Sequence, residues 1–559
     1  MIRSGPDGLT DVTHDLCLVG GGPVGIAMAL ESARQGRRVL LLESGGDGID
    51  DKAQALSDAS IVDPARHDSM RIAVARRLGG TSNLWGGRCL PYDPIDFEHR
   101  PVQGDARWPI GLADIAPFYA RAVDYACAGA DVFETSELTQ GDDKTFATSS
   151  LERWSRDRKA QQAHGRALAD SPLIDLRLNT SVTGFVWDDD RVSHVVVVGP
   201  EGRRTKIPVG EVVIATGGLE STRLLLSEQR DAPARFGGVD GALGRTYMGH
   251  VIGEIADIVF TDDRTDTAFD FKIDAHRSYV RRRITPAPTL LRDDDLLNCA
   301  FWPVVPRVSD PTHRDGFLSA IALGLSVETL GARILPEAIR RRHIPLGMAR
   351  GPHAANVLRD LPAAAVEIPA LLWKRYGAKI PAPAFYKRNA ARRYGLSYHA
   401  EQAPRSASRV RLTHERDATG LPRLEIDLRF SPDDAESVVR LHDHTERWLA
   451  HTGLGRLDHR HPAADRAAAV LDQASHGTHQ IGTARMAASA ATGVVDRDLC
   501  CFGARNLYVA SAAVLPTSGQ ANPTLTVMAL GMRLVDRLAA GRPAIVETGS
   551  RSTSPAFAL

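Results

Sequence analysis

The stretch "HDLCLVGGGPVGIAMALESARQGRRVLLLESGG" constrains this chain most. Asp15 to Val19 is a short apolar strand. Gly20, Gly22 and Gly25 give G-x-G-x-x-G, and Pro23 fits the first turn of a helix, where a missing N–H costs nothing. Ile26, Ala27, Leu30 and Ala33 form its apolar face, Gly36 ends it, and "RVLLLE" is a second buried strand closing on Glu43. Glycines in this pattern let the backbone approach a pyrophosphate at the positive end of the helix. Glu43, eighteen residues after Gly25, can accept from ribose hydroxyls and would repel a 2′-phosphate. The alternative is a glycine-rich turn that holds nothing.

NAD enzymes and flavoproteins share this unit, so the rest of the chain must discriminate. "RRLGGTSNLWGGR" (Arg76 to Arg88) is a side-chain-poor loop able to lie against a flat ring, although a surface loop has the same composition. "EVVIATGGLESTRLLL" reads as a strand over Glu211 to Ala215, a turn at Thr216, Gly217 and Gly218, and a helix, as where a flavin domain closes its sheet.

With 559 residues the chain exceeds one core, so two or more domains are expected. Lys plus Arg and Asp plus Glu balance at 68 each, which leaves no field to attract nucleic acid or an anionic surface globally. Six scattered cysteines without Cys-x-x-Cys read as reduced thiols. The first residues carry no apolar leader and no run is apolar enough to span a bilayer, so a cytoplasmic location is expected.

Together these motifs resemble the glucose–methanol–choline (GMC) oxidoreductases. So do "LGRTYMGH" (Leu243 to His250), "EQAPRSASRVRL" (Glu401 to Leu412) and the block from "HQIGTARM" to "LPTSGQANPTLTVMAL". Only residues near 260–395 lack a counterpart. The ending "LPTSGQANPTLT" is most similar to the pyranose-oxidase and sugar-dehydrogenase branch. The resemblance implies an α/β, Rossmann-like FAD-binding domain and an α+β substrate domain with an antiparallel sheet. It implies FAD held by Gly20, Gly22, Gly25, Glu43, Gly80, Thr81, Asn83, Trp85, Gly86, Val182, Thr216, Gly217, Pro523 and Thr524, with Val182 beside the adenine. It assigns His479 and Asn522 as the catalytic pair: His479 the base, Asn522 the donor to the substrate oxygen, flavin N5 the hydride acceptor. Leu84 stands where some members link flavin to histidine, so non-covalent FAD is expected; Ala510 stands where many have aspartate.

"SHGTHQIGTARM" also permits other readings. His476 and His479 could be metal ligands, but only Asp472 offers another nearby donor and the glycines oppose a shared helical face, so no metal is expected. His476 reads as a loop residue, solvated or hydrogen-bonded. Asn522 could instead cap the helix "PTLTVMALGMRLVDRLAAG".

The expected organisation is a discontinuous FAD domain over 1–250 and 480–545, a substrate domain over 251–479 with a helical insert at about 331–395, and a disordered tail at 546–559. "WPIGLADIAPFYARAVDYA" is expected as an early helical insert, "SRVRLTHERDATGLPRLEIDLRF" as a hairpin turning at Thr419-Gly420, and the following segment as a helix starting at Ser431 and Pro432. The arginine-rich insert reads as a solvated helical segment or as a docking surface for a partner, a polymer or a membrane face. The expected function is oxidation of a secondary or hemiacetal hydroxyl of a sugar or glycoside, a dehydrogenase rather than an oxidase, with a quinone, a cytochrome or oxygen as electron acceptor. The alternatives are a non-sugar alcohol as substrate, a flavoprotein subunit of a multi-protein electron-transfer complex, and a binding protein that keeps only the flavin fold.

Overall fold

The computed structural model describes residues 2–12, 14–138, 143–335, 337–345 and 347–541. The expected tail at 546–559 lies outside the described residues. The fold is of the expected class, an α/β flavin-type sheet joined to an antiparallel sheet.

The first sheet has a parallel heart. Its order is Ile2–Ser4, Ile174–Leu178, Val39–Leu42, His14–Val19 and Arg204–Ile214, with Leu507–Val509 paired parallel to Val212–Ile214. Strands covered on both faces should be continuously apolar. Leu16, Cys17, Leu18, Leu40, Leu41, Val212 and Val213 are indeed fully buried. The first half of Arg204–Ile214 turns away to pair antiparallel with Arg191–Val198, which pairs with Ser181–Asp188. One long strand thus serves two layers.

Sequence-distant segments are welded beside the glycine turn. The helix Pro23–Arg34 starts at Gly22 with Pro23 at its first position. The helix Thr524–Ala540 packs across it, and a Cβ on Gly531 would stand 3.1 Å from Met28 Sδ. That close approach holds the start of the C-terminal helix against the N-terminal motif. The expected early insert is α-helical from Ala116 to Tyr125, preceded by a short 3-10 turn at Leu112–Asp114, because Pro109 and Gly111 interrupt the residues before it.

A second core surrounds an antiparallel sheet in the order Val251–Gly253, Arg393–Ala400, Ala256–Phe260 and Gly455–His459, with Cys299–Val304 also paired to Arg393–Ala400. The helix Pro432–Thr452 begins with a capping box between Ser431 and Asp434 and buries Val438, Leu441 and Trp448 in that core. The strands Arg409–Arg416 and Pro422–Asp427 form an antiparallel hairpin with Gly420 at φ +88°. A smaller apolar cluster around Phe317, Leu318 and Ala322 carries the helices of the insert. Among the described residues no helix is long and apolar enough to cross a membrane.

Candidate functional site

One cavity runs from the glycine turn to the C-terminal helix. Of the residues expected to hold a dinucleotide, Gly20, Gly22, Glu43, Gly80, Thr81, Val182, Thr216, Gly217, Pro523 and Thr524 line it, together with His479. Gly25, Asn83, Trp85 and Gly86 do not line it, and three of them have a legible structural task. A Cβ on Gly25 would lie 2.0 Å from the Gly20 carbonyl oxygen, so Gly25 permits the helix to meet the turn. Asn83 ties its own loop, donating to Leu78 O at 3.0 Å and Gly80 O at 2.9 Å. Trp85 Nε1 donates to Arg158 O, while Gly86 is exposed.

Glu43 is buried, and its two oxygens accept from the Gly21 amide (2.8 Å) and the Gly45 amide (2.7 Å). Its first task is to clamp the turn, and lone pairs remain for a ribose. Burial raises its pKa above the ordinary carboxylate value against those amides. The donors present suit a dinucleotide cofactor. No Cβ lies where Gly22 faces the cavity, and Ser511 Oγ in its wall is buried with no hydrogen-bond partner among the described residues.

The reactive end is assembled by an antiparallel bridge between Met248 and Ile481, with Met248 N to Ile481 O at 2.9 Å and Ile481 N to Met248 O at 3.0 Å. Two residues on from one and two back from the other stand His250 and His479, and their Nδ1 atoms are 2.9 Å apart. Val251–Gly253 then pairs Ile252 with His399, whose ring stacks on His250 at 4.2 Å and 28°. His476 lies in non-helical backbone. Its Nδ1 accepts from the His250 amide at 3.2 Å and its Nε2 meets Thr478 Oγ1 at 3.1 Å.

Asn522 does not cap its helix. Pro523 holds the cap position with no side-chain cap bond, so the capping reading fails for the carboxamide. Its Oδ1 instead accepts from Arg88 Nε at 2.8 Å, and its Nδ2 is 3.1 Å from His479 Nε2. Arg88 can only donate, which turns Oδ1 toward it and leaves the NH2 for the imidazole. His479 Nε2 is therefore an acceptor and its proton lies on Nδ1, donated to His250 Nδ1. His250 then carries its own proton on Nε2, which is buried near the carbonyls of Ser518, Ala521 and Gly519.

The electrostatics agree with that chain. Burial first, and then the charge of Arg88, push His250 down to about 3. Burial and His250 hold His399 well below the ordinary histidine value. Both rings are neutral near pH 7. Arg88 is pushed down to about 10 by burial and stays cationic, flanked by Glu152 (3.3 Å) and stacked over Trp302 (4.7 Å).

The sequence named His479 and Asn522 but not Arg88, His250 or His399. Arg88 ends the loop "RRLGGTSNLWGGR" and His250 ends "LGRTYMGH", motifs whose local sequence gives neither residue a task. His399 carried no signal. The structure also brings together the extra nitrogen donors the metal reading lacked, since ligand atoms of His250, His399 and His479 lie within 4.8 Å of one another. The 2.9 Å Nδ1···Nδ1 contact is nevertheless a hydrogen-bond distance, shorter than the roughly 3.3 Å between two nitrogens on one tetrahedral zinc.

Comparison with known proteins bears on the same residues. Residues 404–531 match the family model described as GMC oxidoreductase. Paromamine 6′-oxidase of Streptomyces fradiae is 23% identical, over 94% of this chain and 91% of its own. 2-Methyl-1,2-propanediol dehydrogenase of Mycolicibacterium austroafricanum is 21% identical, over 97% of this chain and 99% of its own. Among solved structures, pyridoxine 4-oxidase from Mesorbium loti aligns with a TM-score of 0.54 at 15% identity, covering 95% of this chain and 100% of that one. At that identity the likeness speaks for the fold.

Proposed function

We propose, on the premise of a GMC oxidoreductase C-terminal domain at residues 404–531, that this protein is an FAD-dependent enzyme oxidising a CH–OH group of a sugar or glycoside to a carbonyl, with His479 as base. One observation carries the reading: Asn522 Nδ2 and His479 Nε2, 3.1 Å apart, converge beside a cavity shared with the dinucleotide-type turn.

Bound FAD would supply the hydride acceptor. It would be held by Gly20, Gly22, Glu43, Val182 and the Pro523-Thr524 helix start, and non-covalently, since Leu84 offers no nucleophile. The protein's own part is the proton. A substrate hydroxyl would replace the direct Asn522–His479 hydrogen bond, taking the Asn522 N–H on its oxygen and presenting its proton to the freed Nε2 lone pair. The imidazolium so formed keeps its Nδ1–H on His250, a ring held neutral that takes the hydrogen bond without competing for the proton. Arg88 keeps the carboxamide from flipping.

The sugar substrate rests on the relative named as paromamine 6′-oxidase. The relative named as a diol dehydrogenase keeps a non-sugar alcohol as the second reading. We assign a dehydrogenase in the cytoplasm, passing electrons to a quinone or cytochrome, a location supported by six free thiols. Anaerobic bleaching of the flavin by a panel of monosaccharides, glycosides and simple alcohols tests the reading. Reduction by glycosides supports it, reduction by aliphatic diols alone moves it to the second reading, and bleaching by none rejects it. Acid precipitation should release all FAD into solution; yellow precipitate would reject the non-covalent assignment.

A further inference from the structure

The segment 331–395 contains thirteen Lys and Arg against three Asp and Glu, in a chain whose total charge is zero. All three acids are engaged internally. Glu337 is paired with Arg340 and Arg341, each at 2.7 Å. Asp360 accepts from the Gly316 amide at 3.0 Å, and Glu367 is paired with Lys387 at 2.7 Å. Arg350, Lys374 and Lys379 are exposed.

Within this cationic segment lies the helix Leu361–Leu372. Every exposed position on it (361–363, 365, 366, 369, 370 and 372) is Leu, Pro, Ala or Val. Its inner residues Ile368 and Leu371 pack on the cluster of Phe317 and Leu318. A helix apolar on both sides belongs in a core or in lipid, yet here the outer half faces solvent. Val366 is 72% exposed, and the next turn, Trp373–Gly377, adds Trp373 at 68% and Tyr376 at 58%. The twelve residues Leu361–Leu372 are about 18 Å long at 1.5 Å per residue, and Trp373 and Tyr376 extend the apolar surface beyond them. Aromatic rings at one end with the exposed Lys374 in the same turn are the chemistry of a helix lying in the headgroup plane.

We infer that this protein docks on an anionic lipid surface through the outer face of Leu361–Gly377. The apolar face enters the acyl boundary, and the cationic rim meets the headgroups. Lys387, Arg392 and Arg393 are also paired with Asp315, Asp263 and Asp257 outside the segment. The exposed charge of Arg350, Lys374 and Lys379 remains, and it favours an anionic bilayer over a second copy of the chain, whose matching face would carry the same cations.

The test is co-sedimentation of the full-length holoenzyme with vesicles. Mixed phosphatidylcholine and phosphatidylglycerol should pellet the wild type, pure phosphatidylcholine far less, and high salt should release it. Val366→Glu with Trp373→Glu should weaken binding more than about tenfold, with flavin content and activity in solution unchanged. Lys374→Glu with Lys379→Glu, outside the apolar face, should weaken it at low salt only. Wild type left in the supernatant with mixed vesicles overturns the proposal. So does sedimentation velocity showing a dimer that the double Glu variant dissociates, because the face would then be covered by a second copy.

Discussion

Arg88 Nε and Asn522 Oδ1 are 2.8 Å apart, though 434 residues separate them, and this contact decides which end of the carboxamide faces His479. Arg88→Lys keeps the charge beside Glu152 but loses the planar Nε–H fork. It should lower kcat roughly tenfold and leave KM nearly unchanged, a loss of orientation rather than binding. Steady-state kinetics check this; an unchanged kcat would remove Arg88 from the account.

His250 supports the other end of the same chain. His250→Phe leaves the His479 Nδ1–H without that acceptor and should slow flavin reduction about tenfold or more. His250→Gln restores an acceptor and should recover much of the rate. Equal rates in the two variants would reduce His250 to packing.

The glycine turn separates fold from ligand. A Cβ on Gly25 would meet the Gly20 carbonyl oxygen at 2.0 Å, whereas one on Gly22 meets nothing within 4 Å and projects toward the cavity. Gly25→Ala should lower the melting temperature of the FAD-stripped protein. Gly22→Ala should leave that temperature alone and weaken FAD about tenfold or more. Differential scanning fluorimetry with FAD titration separates them, and the reverse pattern would contradict the assignment.

Buried histidines set the acid limit of stability. Burial pushes His67 and His442 down to about 4 and His250 to about 3. Their folded values lie below the unfolded value near 6.5, so the unfolded chain takes up protons first. The stability they contribute is complete above pH 6.5 and is lost as pH falls toward 4 and then 3. Each contributes a slope of about 1.4 kcal/mol per pH unit in that window. Urea midpoints across pH 4–7 should show it, and His442→Leu should make the slope shallower; an identical slope would contradict the assignment for His442.

The two ends of the site differ in how much the sequence disclosed. The strand, turn and helix from His14 to Arg34 follow local rules, and so do the capping box at Ser431 and the hairpin at Gly420. Each is set by neighbours within a few residues. The imidazole chain is set by the Met248–Ile481 bridge and the Ile252–His399 pairing, which join strands more than a hundred residues apart. No local periodicity carries that register. The carboxamide shows the same limit: Asn before Pro reads locally as a cap, and a distant arginine overrides that reading.

The most direct test of the central claim is stopped-flow anaerobic reduction of the bound flavin in His479→Ala. Full FAD loading, little change in substrate affinity, and reduction slower by about a hundredfold or more are expected. Reduction at the wild-type rate would mean that the proton leaves by another route and that the His479–Asn522 pair is not the catalytic centre.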